Sequence, residues 1–407
     1  MQGLAEFRSN LYRWGATRVS PRSLANSALN EAERRLGRGT MLSNPMVVHI
    51  EPTTACNLGC KMCGRSTHWA DLVKNSAHMR RETFERLTPF LRTARVAVLH
   101  GWGEPLLHPE FEWMVRTAKQ MGCMVTFHTN GLLIDAERAR SLVRADTDHI
   151  TVSIDGATPN TYREVRGAEL DVLVENLHHL QHAKIEAQTP YPRITFKSVL
   201  MKRNLAELDA LVDLAAECGV EEIELENLIV YHDSLASQTV FDKKREVAAT
   251  VDGARARAAT LGIRLFYGGI EEKDGLPSCP YRNFVVTCDG TVGPCGAQRF
   301  GIGNIHDAPL RGLWNSESMV AMREGYARRD LPTQCEHCPG RTNKATDHQA
   351  PELGYVEETL QIRQWDRTDR NQNPNIVPID PPASPCDAPS SRSSNGTGCS
   401  TGGGDCN

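Results

Sequence analysis

Cys56, Cys60 and Cys63 stand in the run Cys-Asn-Leu-Gly-Cys-Lys-Met-Cys, directly after the apolar stretch Val47-Val48-His49-Ile50. Three thiolates can hold three irons of a cubane cluster whose usual protein complement is four cysteines, so one iron stays open. An open coordination position marks a catalytic rather than a structural metal site. The bland alternative is a zinc knuckle, because Cys-x2-Cys pairs also ligate zinc; it needs a fourth ligand, and His68 is near enough in sequence to be considered. A second group of thiols lies downstream. Cys279 precedes Pro280-Tyr281, and Cys295 closes a stretch that reads as a β-hairpin, with Phe284-Val285-Val286-Thr287, the turn Asp289-Gly290 and Val292-Gly293. Cys335 and Cys338 complete the group. Four thiolates leave no iron open, and they also fit a zinc ribbon. Cys288 is a spare thiol just before the turn.

Such loops need a frame to hold them. Strand-like runs rich in Val, Ile, Thr and Phe fall at residues 47–52, 96–101, 124–129, 149–155, 193–201 and 222–229, most of them followed by turn residues. Helical patterns alternate with them at 82–94, 109–121, 136–145, 170–188, 205–218 and 242–261. Pro109 suits the first turn of its helix, and Gly122 and Gly219 suit helix ends. Repeated β-then-α units predict a parallel sheet with helices outside, curved by crossovers of one hand. A full eight-unit barrel takes about 250 residues. Residues 46–270 supply six units and a possible seventh strand at 263–267, so an α/β fold with a partial (β/α)6 TIM-like barrel is expected. Barrel chemistry sits at the C-terminal ends of the strands, where the 56–63 loop lies.

The Cys-x3-Cys-x2-Cys spacing resembles the signature of the radical S-adenosylmethionine (SAM) enzymes, and other strand ends extend the likeness. Gly101-Trp102-Gly103-Glu104-Pro105 is similar to the family's Gly-Gly-Glu-Pro motif, with Trp102 in place of the first glycine. The resemblance implies that backbone at Gly103 and the acid Glu104 meet the SAM amino group. Ser153, in Val152-Ser153-Ile154-Asp155-Gly156, and Arg166, in Tyr162-Arg163-Glu164-Val165-Arg166-Gly167, match positions that contact SAM. The arginine does so through the SAM carboxylate, which a planar guanidinium fork suits. Arg163 is the rival to Arg166, and Lys197 and Asn204 are weaker candidates. In the family, SAM chelates the open iron of the 4Fe–4S cluster. An electron from the cluster cleaves SAM to methionine and a 5′-deoxyadenosyl radical, which takes hydrogen from the substrate.

The segment from Cys279 onward resembles the SPASM/twitch extension of the same enzymes, and Gly303-Asn304-Ile305, Leu310 and Trp314 fit it too. A full SPASM domain adds cysteines soon after the Cys-x2-Cys, whereas none follows here until Cys386. The resemblance therefore implies one auxiliary 4Fe–4S cluster, held by Cys279, Cys295, Cys335 and Cys338. With one such cluster as electron acceptor, the expected activity is that of a dehydrogenase-like oxidoreductase acting on a small molecule such as a sugar or cyclitol alcohol. One alternative is a peptide-modifying maturase, weighed down by the short stretch ahead of the first strand. Another is an epimerase in which Cys288 returns hydrogen. A carrier protein without turnover would leave the Gly103/Glu104 and Ser153/Arg166 features pointless. A flavodoxin or ferredoxin is the implied electron donor.

Composition narrows the setting. The chain has 407 residues, with 40% hydrophobic and 24% charged, which is ordinary for a soluble globular protein. A net charge of −4 gives no reason to expect nucleic acid as a partner. No apolar run is long enough for a transmembrane helix. Thirteen cysteines without a secretory signal point to metal or redox chemistry in the cytoplasm. Cys123 and Cys218, alone in apolar settings, read as buried structural thiols. Four regions are expected. Residues 1–45 form an arginine-rich helical segment, with Leu4, Phe7, Leu11 and Trp14 at helical spacing. Residues 46–270 form the barrel and 271–345 the Cys-rich domain. Residues 346–407 form an extension and a Ser/Gly tail carrying Cys386, Cys399 and Cys406, expected to be largely disordered because it cannot bury a core.

Overall fold

The computed structural model describes residues 20–66, 76–270, 279–295, 301–331 and 335, together with the backbone of 376–378. The β-branched and aromatic runs form the strands β1 (Val47–Ile50), β2 (Ala77–Met79), β3 (Val96–Leu99), β4 (Met124–Thr129), β5 (His149–Ser153), β6 (Arg193–Leu200), β7 (Glu222–Asn227) and β8 (Arg264–Tyr267). Seven of these lie side by side in the order β1-β3-β4-β5-β6-β7-β8, every neighbouring pair parallel. Helices Phe111–Gln120, Ala136–Arg144, Leu170–Glu186, Leu208–Glu217 and Lys244–Thr260 follow successive strands. They bury Phe111, Leu142, Leu177, Val212 and Val251 in the same core as Val48 and Ile50 of β1. Each such side chain contributes ~1.5–3 kcal/mol by leaving water. The other face of each strand looks into the barrel, which is why Val47 and His49 are only partly covered. This is the expected α/β barrel.

Local chemistry moves several boundaries. The helix expected over 82–94 splits into Arg81–Glu85 and Thr88–Leu91, because Pro89 has no N–H to continue the first piece and sits instead in the first turn of the second. Pro109 precedes its helix, which starts at Phe111. Gly122 and Gly219 do end helices, at φ +92° and +63°. Leu205–Glu207 and Phe241–Lys243 are 3-10 turns that lead into their helices. Among the elements not expected from the sequence are the helix Pro159–Arg166 and the short strand β2.

Beyond the barrel, β9 (Asn283–Val286) pairs parallel with the outer edge of β1, Val47 facing Asn283 and Ile50 facing Val286. It turns back through Asp289-Gly290 into β10 (Thr291–Gly293), with Gly290 at φ +86°, and β11 (Gly303–Asn304) follows. The Cys-rich segment thus extends the barrel sheet itself. A layer of side chains bonded to backbone locks the joint. Trp314 Nε1 donates to the Ser43 carbonyl at 2.9 Å, and Asn30, on the helix Pro21–Arg35, donates to the Tyr281 carbonyl at 2.8 Å. Arg323 is fully buried and donates to the carbonyls of Pro280, Gly39 and Trp314. A last strand, β12 (Ile376–Pro378), pairs antiparallel with β2. The expectations for residues 1–19, and for the tail around Cys386, Cys399 and Cys406, lie outside the described residues. No helix among the described residues is long and apolar enough to cross a membrane.

Candidate active site

The cysteine loop leaves β1 through Glu51-Pro52-Thr53-Thr54-Ala55 and is clamped on both sides before it reaches Cys56. On one side β2 bridges to it, with Met79 N donating to the Pro52 carbonyl at 2.7 Å and Thr54 N to the Ala77 carbonyl at 3.0 Å. On the other, Glu104 N donates to the Ala55 carbonyl at 2.7 Å. Gly103 allows this approach: a Cβ there would stand 2.4 Å from Ala55 O and 2.5 Å from Thr53 O, both immovable backbone atoms. Arg65 Nε adds a bond to the Thr54 carbonyl at 2.7 Å.

Glu104 is itself buried. Its carboxylate accepts from Asn130 N at 2.8 Å, Thr129 Oγ1 at 2.7 Å and Leu106 N at 3.2 Å. Burial raises its pKa to about 7 in spite of those donors. The side chain ties the turn after β3 to the end of β4. Trp102, from the same turn, meets Tyr231, from the segment after β7, edge to face at 5.9 Å.

Among the loop thiols, Cys60 is buried, while Cys56 and Cys63 are half-buried. Burial pushes the Cys56 thiol up to about 11 and raises that of Cys60, which Arg166 partly offsets. Arg166 is the last residue of the helix Pro159–Arg166, which Gly167 ends at φ +75°. Its Nη2 pairs with the fully buried Asp155 at 2.6 Å, and its Nη1 lies 3.7 Å from Cys60 Sγ. Asp155 is anchored in turn by Val199 N at 2.7 Å. Arg163, three residues earlier on that helix, points outward and pairs with Glu169. The geometry therefore brings Arg166, not Arg163, to the cysteine loop.

Ser153 ends β5, half-buried beside Lys197 in the ladder. Lys197 reaches Glu226 at 2.7 Å and Glu224 at 3.7 Å. Asn204 is taken up by backbone, bonding Met201 N and the carbonyls of Val199 and Asp155, so it shapes a turn. Asp155, in the Ser-Ile-Asp-Gly turn, carries no sequence signal of a role, and only its burial reveals it as the anion that holds Arg166.

In the C-terminal segment, Cys279 opens a short helix before β9, Cys295 follows β10, and both are half-buried, as is Cys335. Cys338 lies outside the described residues. Cys288 sits in the apolar core at 2% exposure. That is a poor station for returning hydrogen to a substrate. Cys123 and Cys218 are buried as expected, their thiols pushed up to about 12.

The donor set fits the groups that the motifs imply. Among the described residues no three Cys, His, Asp or Glu side chains converge to hold a single metal ion. A cubane takes one thiolate on each iron and needs no such convergence. Arg166 Nε and the Tyr162 hydroxyl are buried without a hydrogen-bond partner among the described residues, beside Cys60. Such orphaned donors cost ~1–3 kcal/mol each unless a ligand meets them.

Known proteins match the segments that carry these residues. The Radical SAM superfamily model matches residues 50–215, and an iron–sulfur cluster-binding domain of SPASM type matches residues 278–339. A PqqA peptide cyclase of Streptomyces rochei is 30% identical over 316 residues, 73% of this chain and 82% of the relative. The chain belongs to the radical SAM superfamily. Another relative of this radical SAM enzyme is a cofactor-modifying protein for tungsten-containing aldehyde ferredoxin oxidoreductase from Pyrococcus furiosus, 25% identical over 68% of this chain and 82% of that one. Among solved structures, Streptococcus suis SuiB bound to its precursor peptide SuiA superposes with a TM-score of 0.53. It shares 15% identity over 73% of this chain and 70% of SuiB, a likeness of fold. The enzyme accordingly binds SAM on a 4Fe–4S cluster and carries auxiliary iron–sulfur chemistry in its C-terminal SPASM domain.

Proposed function

We propose that this radical SAM enzyme modifies a peptide, oxidising or cross-linking one of its residues. The observation that carries this reading is the likeness to a PqqA peptide cyclase over four-fifths of that relative's length. The oxidation of a sugar-like alcohol, expected from the count of auxiliary cysteines, has less support: the S. rochei relative is by name a peptide cyclase, and the SuiB fold was solved with a precursor peptide.

In this reading Cys56, Cys60 and Cys63 hold the SAM-binding cluster, and Cys279, Cys295, Cys335 and Cys338 hold an auxiliary one. The clusters and SAM supply the electrons and the radical. The chain's own residues orient them. Arg166, held by Asp155, offers Nε, which has no partner among the described residues, to the SAM carboxylate as a charge-assisted donor. Gly103 lets its turn close on the backbone of the cysteine loop, and Glu104 fixes that turn to the end of β4, next to the strand that Ser153 ends. We place the enzyme in the cytoplasm, whose reducing conditions suit thiolate-held clusters, with a flavodoxin or ferredoxin as electron donor. Anaerobic reconstitution with iron, sulfide and SAM, followed by incubation with a peptide library and a panel of sugars and cyclitols, tests the reading. Formation of 5′-deoxyadenosine together with a peptide of altered mass is expected. Turnover of an alcohol alone would return the enzyme to the dehydrogenase reading.

A further inference from the structure

The barrel interior carries a row of imidazoles that the cofactor-binding residues do not use. Alternation along β1, and the residues that follow it on β3 and β4, bring His49, His100 and His128 to the inner face of three adjacent strands. The rings touch in sequence. His49 and His100 meet edge to face at 4.7 Å, and His100 and His128 stack at 3.8 Å, with 13° between their planes. His49 Nε2 donates to the His100 carbonyl at 2.7 Å, whereas His100 Nδ1 is buried with no hydrogen-bond partner among the described residues. On the far side of the row, Lys197 is matched by Glu226 and Glu224. The Trp102–Tyr231 contact joins the segments after β3 and β7, which are well-separated strands of the barrel.

We propose that this lumen is the substrate side-chain site and that it takes an uncharged hydroxyl group, an alcohol or a phenol, on the His100–His128 pair. The inference rests on the peptide reading above and specifies its side chain. A cationic side chain is disfavoured: burial holds all three imidazoles un-ionised, and Lys197 already bears on His100 and His128 with like charge. A carboxylate is disfavoured as well, because Glu224 and Glu226 balance the ammonium of Lys197 and leave no uncompensated positive charge in the row. What remains is neutral hydrogen bonding. A neutral imidazole has one ring N–H and one bare nitrogen, and a hydroxyl both donates and accepts at a single atom. One oxygen can therefore serve two rings stacked 3.8 Å apart, where an amide would have to divide its donor and acceptor between separate atoms.

The test uses reconstituted, SAM-loaded enzyme with labelled histidine rings, observed by NMR. It is titrated with capped Gly-Gly-X-Gly-Gly peptides in which X is Tyr, Ser, Lys or Glu, and with the free probes p-cresol, 2-propanol, n-butylamine and butyrate. Hydroxyl-bearing probes should shift the His100 and His128 resonances saturably, with affinity about tenfold or more above the charged ones. Tyrosine against serine separates phenol from alcohol. His100→Phe keeps a stacking ring but no nitrogen and should erase the preference, and His100→Gln should restore part of it. Iron content and SAM affinity check that the cluster end is intact. The proposal is overturned if charged probes bind as well as hydroxyls, if no probe moves the rings, or if His100→Phe keeps the preference. Should the small probes bind while no peptide does, the hydroxyl site stands and the peptide reading falls.

Discussion

Arg166 and Arg323 are both buried guanidinium groups, and they show what separates the cluster end of the barrel from its joint with the SPASM hairpin. Arg166 faces the Asp155 carboxylate at 2.6 Å and the Cys60 sulfur at 3.7 Å. Burial works against its charge, yet those neighbours hold its pKa above the ordinary arginine range. Arg323 has only neutral acceptors, the carbonyls of Pro280 at 2.8 Å, Gly39 at 2.9 Å and Trp314 at 2.7 Å, with the Trp314 ring 4.1 Å away. There burial dominates and pushes the pKa down to about 9. Arg323 spends Nε, Nη1 and Nη2 on the backbone and has become part of the scaffold. Arg166 keeps Nε in hand. Arg166 thus has a donor open to a ligand, whereas Arg323 is taken up by the backbone of the joint.

That contrast can be broken by mutation. Changing Cys56, Cys60 and Cys63 together to Ala should remove about four irons per chain and all reductive SAM cleavage. Cleavage that survives would detach the Arg166 corner from any cluster. Next in size, Arg323→Met should cost about 3–5 kcal/mol in denaturant unfolding, because several buried carbonyls lose their donor at once. The SAM affinity of the folded fraction should not change. A third outcome concerns pH. The Glu104 carboxyl titrates near 7 in the fold against 4.5 as its ordinary value, so the folded enzyme holds a proton that the unfolded chain has released across that window. Stability contributed by Glu104 is thus full below about 4.5 and lost as pH rises to about 7, on the order of 3 kcal/mol, and Glu104→Gln should flatten the unfolding curve there. Smallest, Arg166→Lys keeps the charge but loses the planar fork and should weaken SAM binding about tenfold with iron content unchanged. Arg163→Ala, on the outer face, should leave SAM affinity as it was. The opposite pattern in these two variants would move the carboxylate contact to Arg163.

Much of the frame was legible because β-branched runs and helical periods carry their own geometry. β4 matches its expected bounds, and β8 falls inside the expected seventh strand. The Asp289-Gly290 turn was readable because Gly290 supplies a positive φ that other residues resist. What stayed hidden depends on neighbours. The helix Pro159–Arg166, with Thr158 as its cap and Pro159 in its first turn, has only eight residues, too few for a helical period to stand out. β2 has only three residues and no pattern of its own; it exists because the backbone of Pro52 and Thr54 gives it partners. The histidine row was illegible for a different reason. Each imidazole occupies an unremarkable alternate position, and only the register between strands stacks one on the next.

The pairing of β9 with β1 has a consequence for how the enzyme is made. The strand that leads into the cysteine loop is an open sheet edge until Asn283–Val286 arrives, more than two hundred residues later in the chain. At ~5–20 residues per second of synthesis, that edge stays uncovered on the order of ten seconds or more. An exposed, apolar edge is a template for pairing with other chains. Loading the first cluster while the hairpin is still being made would pin the loop early. It would still leave the edge of β1 bare, because only β9 covers it, so completion of the hairpin is the step that ends the exposure.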